Sequence, residues 1–140
     1  MWQVYAFLSA LFAALVALFA KMGLKTADPI ASTAIRSVIM AAIVVFAAII
    51  FHRFRAMPIS EIGLKDWILI SLAGISGAAS WMFYFAALKA GEAAKVSAID
   101  RTSLAFVVIL AALFLGEALT WKSILGSMLI IAGAIIMAIL

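Results

Sequence analysis

The stretch WILISLAGISGAASWMFYFAAL, residues 67–88, decides the fold of this chain. It carries no charged side chain, and its length matches the about 20 apolar residues that a helix needs to span the hydrocarbon core of a bilayer. Similar apolar segments precede and follow it. The expected transmembrane helices cover residues 2–20, 29–51, 67–88, 96–115 and 121–140. We therefore expect an all-α integral membrane protein, a five-transmembrane-helix bundle formed by a single domain of residues 1–140.

The composition indicates that lipid is the solvent of this chain. Of its residues, 69% are hydrophobic and 11% are charged, and the mean hydropathy is +1.33. Soluble domains are about half apolar and about a quarter charged. The apolar segments are continuous rather than alternating, which excludes a transmembrane β-barrel. We expect a multi-pass protein of the inner or plasma membrane of the cell.

The residue types offer no pattern for catalysis or metal binding. The chain has no cysteine and a single histidine, His52, so neither a nucleophile–base pair nor a metal-ligand spacing occurs. The net charge is +4, but the basic residues are scattered among the connections instead of clustering as in nucleic-acid binders. We expect no enzymatic activity, no cofactor and no nucleic-acid partner.

The positive charges of the connections do not select an orientation. Five crossings place the termini on opposite sides, with the amino terminus on side A and the carboxyl terminus on side B. Side A receives Arg53, Arg55, Lys65 and Lys122, and side B receives Lys21, Lys25, Lys89 and Lys95. Orientation follows the difference in Lys and Arg between short loops, and here that difference vanishes. Two interpretations remain: one orientation set by other features, or dual topology with an antiparallel homodimer.

Several short motifs, in order and spacing, carry a resemblance to a known family. They are Asp28-Pro29 with Arg36, the stretch YFAALK at 84–89, the stretch LGEALT at 115–120, and Gly126 with Ala132-Gly133-Ala134. Over nearly the whole chain this pattern resembles the EamA domain of the drug/metabolite transporter superfamily. It departs from the commoner family pattern in helix four, where Asp100-Arg101 replaces small or apolar residues and Leu104 replaces a proline.

The resemblance implies a function and a partner. EamA-like proteins usually carry two five-helix units related by inverted topology, and this chain resembles one unit. The resemblance therefore implies a homodimer, or a heterodimer with a second EamA-like half, acting as a secondary carrier of small organic solutes or metabolites. Together with the balanced loop charges it favours dual topology. The alternative is a non-transporting membrane subunit or lipid-handling accessory that assembles with another EamA-like half.

Three charged side chains lie inside the expected helices. Arg36 lies about 10 Å into helix two, and Asp100 and Arg101 lie about 6–8 Å into helix four, at 1.5 Å per residue. All three share a similar depth, because both helices start on side B. The two arginines can reach the side B headgroups, since long side chains snorkel. Alternatively, the three residues form a polar gate or a proton or substrate site, with Asp100 paired to an arginine.

Aromatic residues of helix three form a stripe beside which such a site could be built. Trp81 lies deep in helix three, with Tyr84 and Leu88 at i+3 and i+7. The stripe is either helix-packing surface or a cavity wall, and as a wall it suits aromatic or cationic solutes. Three other tryptophans lie at helix ends on side A, where aromatic belts contact membrane lipids. These anchors are Trp2, Trp67 and Trp121.

Small residues on helix five suggest a subunit contact. Gly126 and Gly133 are seven positions apart and share one helix face. Small residues let helix backbones approach closely in lipid, where no hydrophobic force distinguishes a helix from a lipid tail. This face is our expected dimer interface.

Overall fold

A computed structural model of the chain describes residues 2–56 and 59–139. In these residues, five helical spans are long and apolar enough to cross a membrane, which confirms the expected all-α class. The helices are α1 (Trp2–Gly23), α2 (Pro29–Ile50), α3 (Arg53–Ala56), α4 (Leu64–Ala90), α5 (Ala93–Asp100), α6 (Ser103–Leu110) and α7 (Trp121–Ile139), with a 3₁₀ turn at Ile59–Glu61 and a π-helical turn at Ala111–Leu115. The same described residues contain no β-strand.

The chain divides into two compact units. Unit 1 consists of Met1–Met22 with Ala87–Leu140, and unit 2 consists of Gly23–Ala86. Within unit 1, α5 and α6 both pack on α7. Its buried side chains are Ala17, Leu88 and Ala134, and those of unit 2 are Leu24, Thr33 and Phe85.

The start of α2 is fixed by an aspartate and a proline. Asp28 has extended backbone angles, and its Oδ1 accepts hydrogen bonds from the backbone N–H groups of Ile30 and Ala31, each at 2.9 Å. Pro29 occupies the first helical position, where its missing N–H costs nothing and its fixed φ already suits a helix. Asp28 thereby satisfies two of the donors that every helix start leaves unpaired.

The fourth span is interrupted, whereas the sequence indicated one helix over 96–115. The N–H of Thr102 donates to Ile99 O at 3.0 Å, and that of Leu104 donates to Arg101 O at 3.1 Å. Bonds of this i to i−3 type belong to a tighter 3₁₀ turn, and they separate α5 from α6. The hydroxyl of Thr102 also donates to Ile99 O, at 2.7 Å. The interruption therefore coincides with the charged pair Asp100-Arg101.

The end of the fourth span and the start of α7 are both capped locally. Gly116 has φ 70° and ends the π-helical turn in the left-handed region, which glycine adopts without steric penalty. Thr120 and Ser123 then exchange two hydrogen bonds of 3.1 Å, each side-chain oxygen accepting from the other residue's backbone N–H. This reciprocal arrangement satisfies donors at the start of α7.

Most large apolar side chains of the described chain are exposed. Phe83 is 78% exposed, Phe114 80% and Ile139 77%. Water would make such a surface strongly unfavourable, at about 25 cal/mol per Å² of apolar area. The helices therefore present their apolar faces to lipid or to a partner.

Candidate functional site

The side chain of Arg36 lies against the aromatic face of unit 2. Arg36 projects from α2, and its guanidinium carbon Cζ lies 3.6 Å from the centroid of the Trp81 ring on α4. The ring of Phe85, one helical turn further, lies 5.9 Å from the same carbon. A cation over an aromatic face is attracted by the ring quadrupole, by about 2 kcal/mol or more when the pair is desolvated.

Three rings on α4 form the wall behind this cation. The centroids of Trp81 and Tyr84 are 5.5 Å apart at an interplanar angle of 89°, and those of Trp81 and Phe85 are 5.9 Å apart at 73°. Edge-to-face geometry of this kind stabilises each pair by about 0.5–1.5 kcal/mol. Phe85 is buried, while Trp81 and Tyr84 are half-buried. The rings therefore hold each other in place and fix the surface on which Arg36 lies.

Neither terminal nitrogen of Arg36 has a strong hydrogen-bond acceptor. Its Nη2 donates to the Met40 sulfur at 3.9 Å, and thioether sulfur is a weak acceptor. Its Nη1 is buried and has no hydrogen-bond partner. A buried donor without a partner costs about 1–3 kcal/mol, and more when the group is charged.

The hydroxyl groups near Arg36 on α2 are already engaged. Thr33 Oγ1 donates to Pro29 O at 2.7 Å, and Ser37 Oγ donates to Thr33 O at 2.8 Å. Each hydroxyl therefore donates its hydrogen bond to a carbonyl oxygen of the helix backbone. The N–H groups of Arg36 remain the strongest donors of this part of α2.

Asp100 and Arg101 lie in unit 1, at the interruption of the fourth span. Both side chains are exposed. Arg101 lines an open groove of about 430 Å³ between α1, α5 and α7. Ala13 and Ala17 of α1 and Ala94 of α5 contribute to the groove wall, which is mostly alanine.

The structure thus groups the residues expected from sequence in two places. Arg36, Trp81 and Tyr84 lie together in unit 2, and Asp100 and Arg101 are neighbours in unit 1. A single gate made of all five residues stays a prediction. Phe85 and Met40 belong to the Arg36 surroundings and were not predicted. Phe85 follows Trp81 at the helical spacing i+4, a signal that the sequence did contain.

One contact of unit 1 had no sequence signal. The ammonium group of Lys21, in the last turn of α1, donates to Leu88 O at 2.6 Å and to Gly91 O at 2.7 Å. These carbonyls lie at the carboxyl end of α4, where helix carbonyls lack partners and the helix dipole favours a cation. Lys21 therefore joins the end of α1 to the end of α4.

The expected interface glycines are unobstructed in the structure. A Cβ atom built on Gly126 or Gly133 meets nothing within 4 Å. Neither glycine is thus required by packing inside the described chain.

The described residues contain no group of three or more His, Asp or Glu side chains that could hold a metal ion.

Five apolar helices of membrane-spanning length, one of which carries Arg36, define a multi-pass membrane protein. Comparisons with known proteins identify the family. The profile of the EamA-like transporter family matches residues 1–139. The chain belongs to this family, which confirms the resemblance found in the sequence. A relative from Sinorhizobium sp is 42% identical over 138 residues, covering 99% of this chain and 96% of the relative, and is described as an uncharacterized transporter in the cobO 3′ region. No solved structure matches the chain significantly. Family and relative agree that this is a membrane transporter, which points away from an enzyme.

Proposed function

We propose that this chain is a secondary carrier of small organic solutes in the inner or plasma membrane, acting as a dimer of five-helix units. One observation carries the proposal: the guanidinium of Arg36 lies over Trp81 inside a membrane span, with a buried Nη1 that donates to nothing. Charged side chains inside membrane spans are costly, by about 2.5–3.5 kcal/mol on insertion scales, and they mark substrate or ion pathways. An arginine serving only as a headgroup anchor would extend to the interface instead of lying over a ring.

The interrupted fourth span supports the same proposal. Carrier binding sites are commonly formed by discontinuous helices, whose exposed backbone groups contact the solute. Here the interruption lies at Asp100-Arg101, between α5 and α6. Asp100 and Arg101 would serve as the polar gate of the pathway, and Asp100 would carry the coupling charge.

Dimerisation is proposed from three independent features. The Lys and Arg residues of the connections are balanced four against four between the sides, so the chain has no charge preference for one orientation. The large apolar side chains are mostly exposed. A Cβ atom built on Gly126 or Gly133 of α7 meets nothing within 4 Å, and small residues of this kind let a partner helix approach closely.

An antiparallel pair would also explain how one small unit moves a solute. If the five helices cross the membrane in turn, the helices that carry Arg36 and Arg101 both start on side B, and each arginine would lie nearer to that side. In an antiparallel homodimer each cluster would therefore occur twice, once near each membrane face. Alternating access requires a central site with a closable barrier towards each side, and this duplication supplies the two barriers.

Transport by the purified chain in phosphatidylcholine liposomes tests the proposal. The liposomes are loaded with unlabelled benzoate, benzylamine or phenylalanine, and uptake of the same labelled solute is followed by counterflow. We expect saturable, protein-dependent uptake of at least one of the three, lost in Arg36→Gln and kept in Arg53→Gln. Arg53 is the matched control because it is an exposed arginine outside the spans. Absence of uptake for all three solutes would contradict the homodimeric carrier.

A further inference from the structure

The guanidinium of Arg36 has an unused hydrogen-bonding edge. Its carbon lies over the Trp81 ring at 3.6 Å, so the aromatic contact occupies the face of the group. A guanidinium carries its N–H donors in its own plane and can stack and hydrogen-bond at the same time. Of the two terminal nitrogens, Nη1 has no partner and Nη2 has the Met40 sulfur at 3.9 Å.

The acceptor at this edge is poorly matched to its donor. Thioether sulfur accepts hydrogen bonds weakly, and a guanidinium pairs most strongly with the two oxygens of a carboxylate or phosphate. Met40 is 46% exposed, and an unbranched methionine side chain rearranges easily. An oxyanion can therefore displace Met40 without breaking a strong contact.

Unit 2 supplies no counter-charge of its own to this cation. The Asp28 carboxylate accepts from the backbone at the start of α2. Asp66 lies in the first turn of α4, which is about 22 Å along that helix from Trp81 at 1.5 Å per residue. Glu61 lies in the 3₁₀ turn before α4. Within the described part of unit 2, the positive charge is balanced only by aromatic faces.

We propose that Arg36, Trp81 and Phe85 form a binding site for a small organic anion. The carboxylate, or another oxyanion of similar shape, replaces the Met40 sulfur and accepts hydrogen bonds from both Nη1 and Nη2. The face of the guanidinium stays on Trp81 throughout, and the apolar body of the anion packs on the rings of α4. This inference rests on the proposed carrier function and names the substrate class of its site.

Equilibrium binding of labelled benzoate to the full chain in phosphatidylcholine nanodiscs tests the site. We expect saturable binding that unlabelled benzoate displaces and that benzamide, its uncharged analogue of the same shape, does not. Arg36→Gln should weaken binding by about tenfold or more, because a charge-assisted bidentate pair is lost. The affinity of Arg36→Lys for benzoate should lie between those of the wild type and Arg36→Gln. Lysine keeps the positive charge but lacks the paired N–H donors of a guanidinium. No saturable benzoate binding, or equal displacement by benzamide, would overturn the site.

Two further variants separate the site from a general effect of charge. Arg53→Gln removes an exposed arginine and should bind benzoate as the wild type does. Met40→Ala removes the competing sulfur and should bind at least as tightly as the wild type. A loss of affinity in Met40→Ala, or an equal loss in Arg53→Gln and Arg36→Gln, would contradict displacement of Met40 at this edge.

The oxyanion could also come from a lipid headgroup, and the lipid composition distinguishes the two sources. We expect benzoate affinity to be nearly the same when phosphatidylglycerol replaces part of the phosphatidylcholine. Loss of benzoate binding in the nanodiscs that contain phosphatidylglycerol would show that the site binds a lipid headgroup. It would contradict our proposal that the ligand is a soluble organic anion. Arg36-dependent benzoate binding without any counterflow would contradict the carrier while keeping the site. Counterflow of benzylamine or phenylalanine by the wild type, without saturable binding of benzoate, would contradict the anion site while keeping the carrier.

Discussion

The guanidinium carbon of Arg36 lies 3.6 Å from the centroid of the Trp81 ring, so a charge inside a membrane span rests on an aromatic face. This contact joins α2 to α4 within unit 2. It predicts an energetic coupling between the two side chains. In a double-mutant cycle with Arg36→Gln and Trp81→Leu, we expect a coupling of about 1–2 kcal/mol in the free energy of unfolding. The measurement is unfolding by dodecyl sulfate in mixed micelles, followed by far-UV circular dichroism. Additive effects of the two substitutions would show that the contact contributes nothing to stability.

Lys21 predicts a stability effect in unit 1. Lys21→Met removes the donor that two carbonyls at the end of α4 share, at an expected cost of about 1–3 kcal/mol in the same unfolding assay. Lys25→Met is the matched control, because Lys25 is exposed and lies just beyond α1. We expect little change there. Equal effects of both substitutions would mean that Lys21 stabilises the chain only through its charge near the membrane surface, and not through the two carbonyl groups.

The glycines of α7 predict an effect on association alone. Gly126→Leu and Gly133→Leu should weaken the dimer, because leucine keeps the partner helix at a distance. A Cβ atom at either position meets nothing within 4 Å, so we expect the stability of the single chain to hold. Ala132→Leu adds the same side chain about 120° around the helix from Gly126 and should leave the dimer intact. Cross-linking in liposomes measures the association, and a fully retained dimer in both glycine variants would exclude this face.

Asp100 predicts an effect on transport without an effect on assembly. Asp100→Asn keeps the shape of the side chain at the interruption of the fourth span and removes its charge. We expect counterflow to be abolished while insertion and dimerisation persist. Glu92→Gln is the control, since Glu92 is an exposed carboxylate at the start of α5 that makes no capping hydrogen bond. Unchanged uptake in Asp100→Asn would remove this residue from the mechanism.

The spans could be predicted from sequence because their signal is local. Residues 67–88 are uncharged and predominantly apolar, and the start of α2 is marked by Pro29 directly before the apolar run. Both features depend on neighbouring residues and on the thickness of the bilayer. The structure extends α4 back to Leu64, so Lys65 and Asp66 lie in its first turn rather than in the connection.

Contacts between distant segments could not be predicted in the same way. Lys21 and Leu88 are 67 positions apart, and nothing in their local sequence links them. Arg36 and Trp81 were each singled out, but spacing alone cannot pair residues on different helices. The interruption at Arg101 was missed because residues 96–115 together have the length of a single span. Its local signal was the polar stretch Asp100-Arg101-Thr102-Ser103.

The orientation of the chain in the membrane tests the central claim, an antiparallel homodimeric carrier, most directly. The protein has no cysteine, so a single introduced one reports its side without background. The variant Glu92→Cys places the cysteine in the connection on side B, and Glu117→Cys places it in the connection on side A. A maleimide that does not cross the membrane is then added to intact cells. Dual topology predicts that each variant is labelled to about half of its total, as judged after permeabilisation. Complete labelling of one variant and none of the other would contradict the antiparallel dimer.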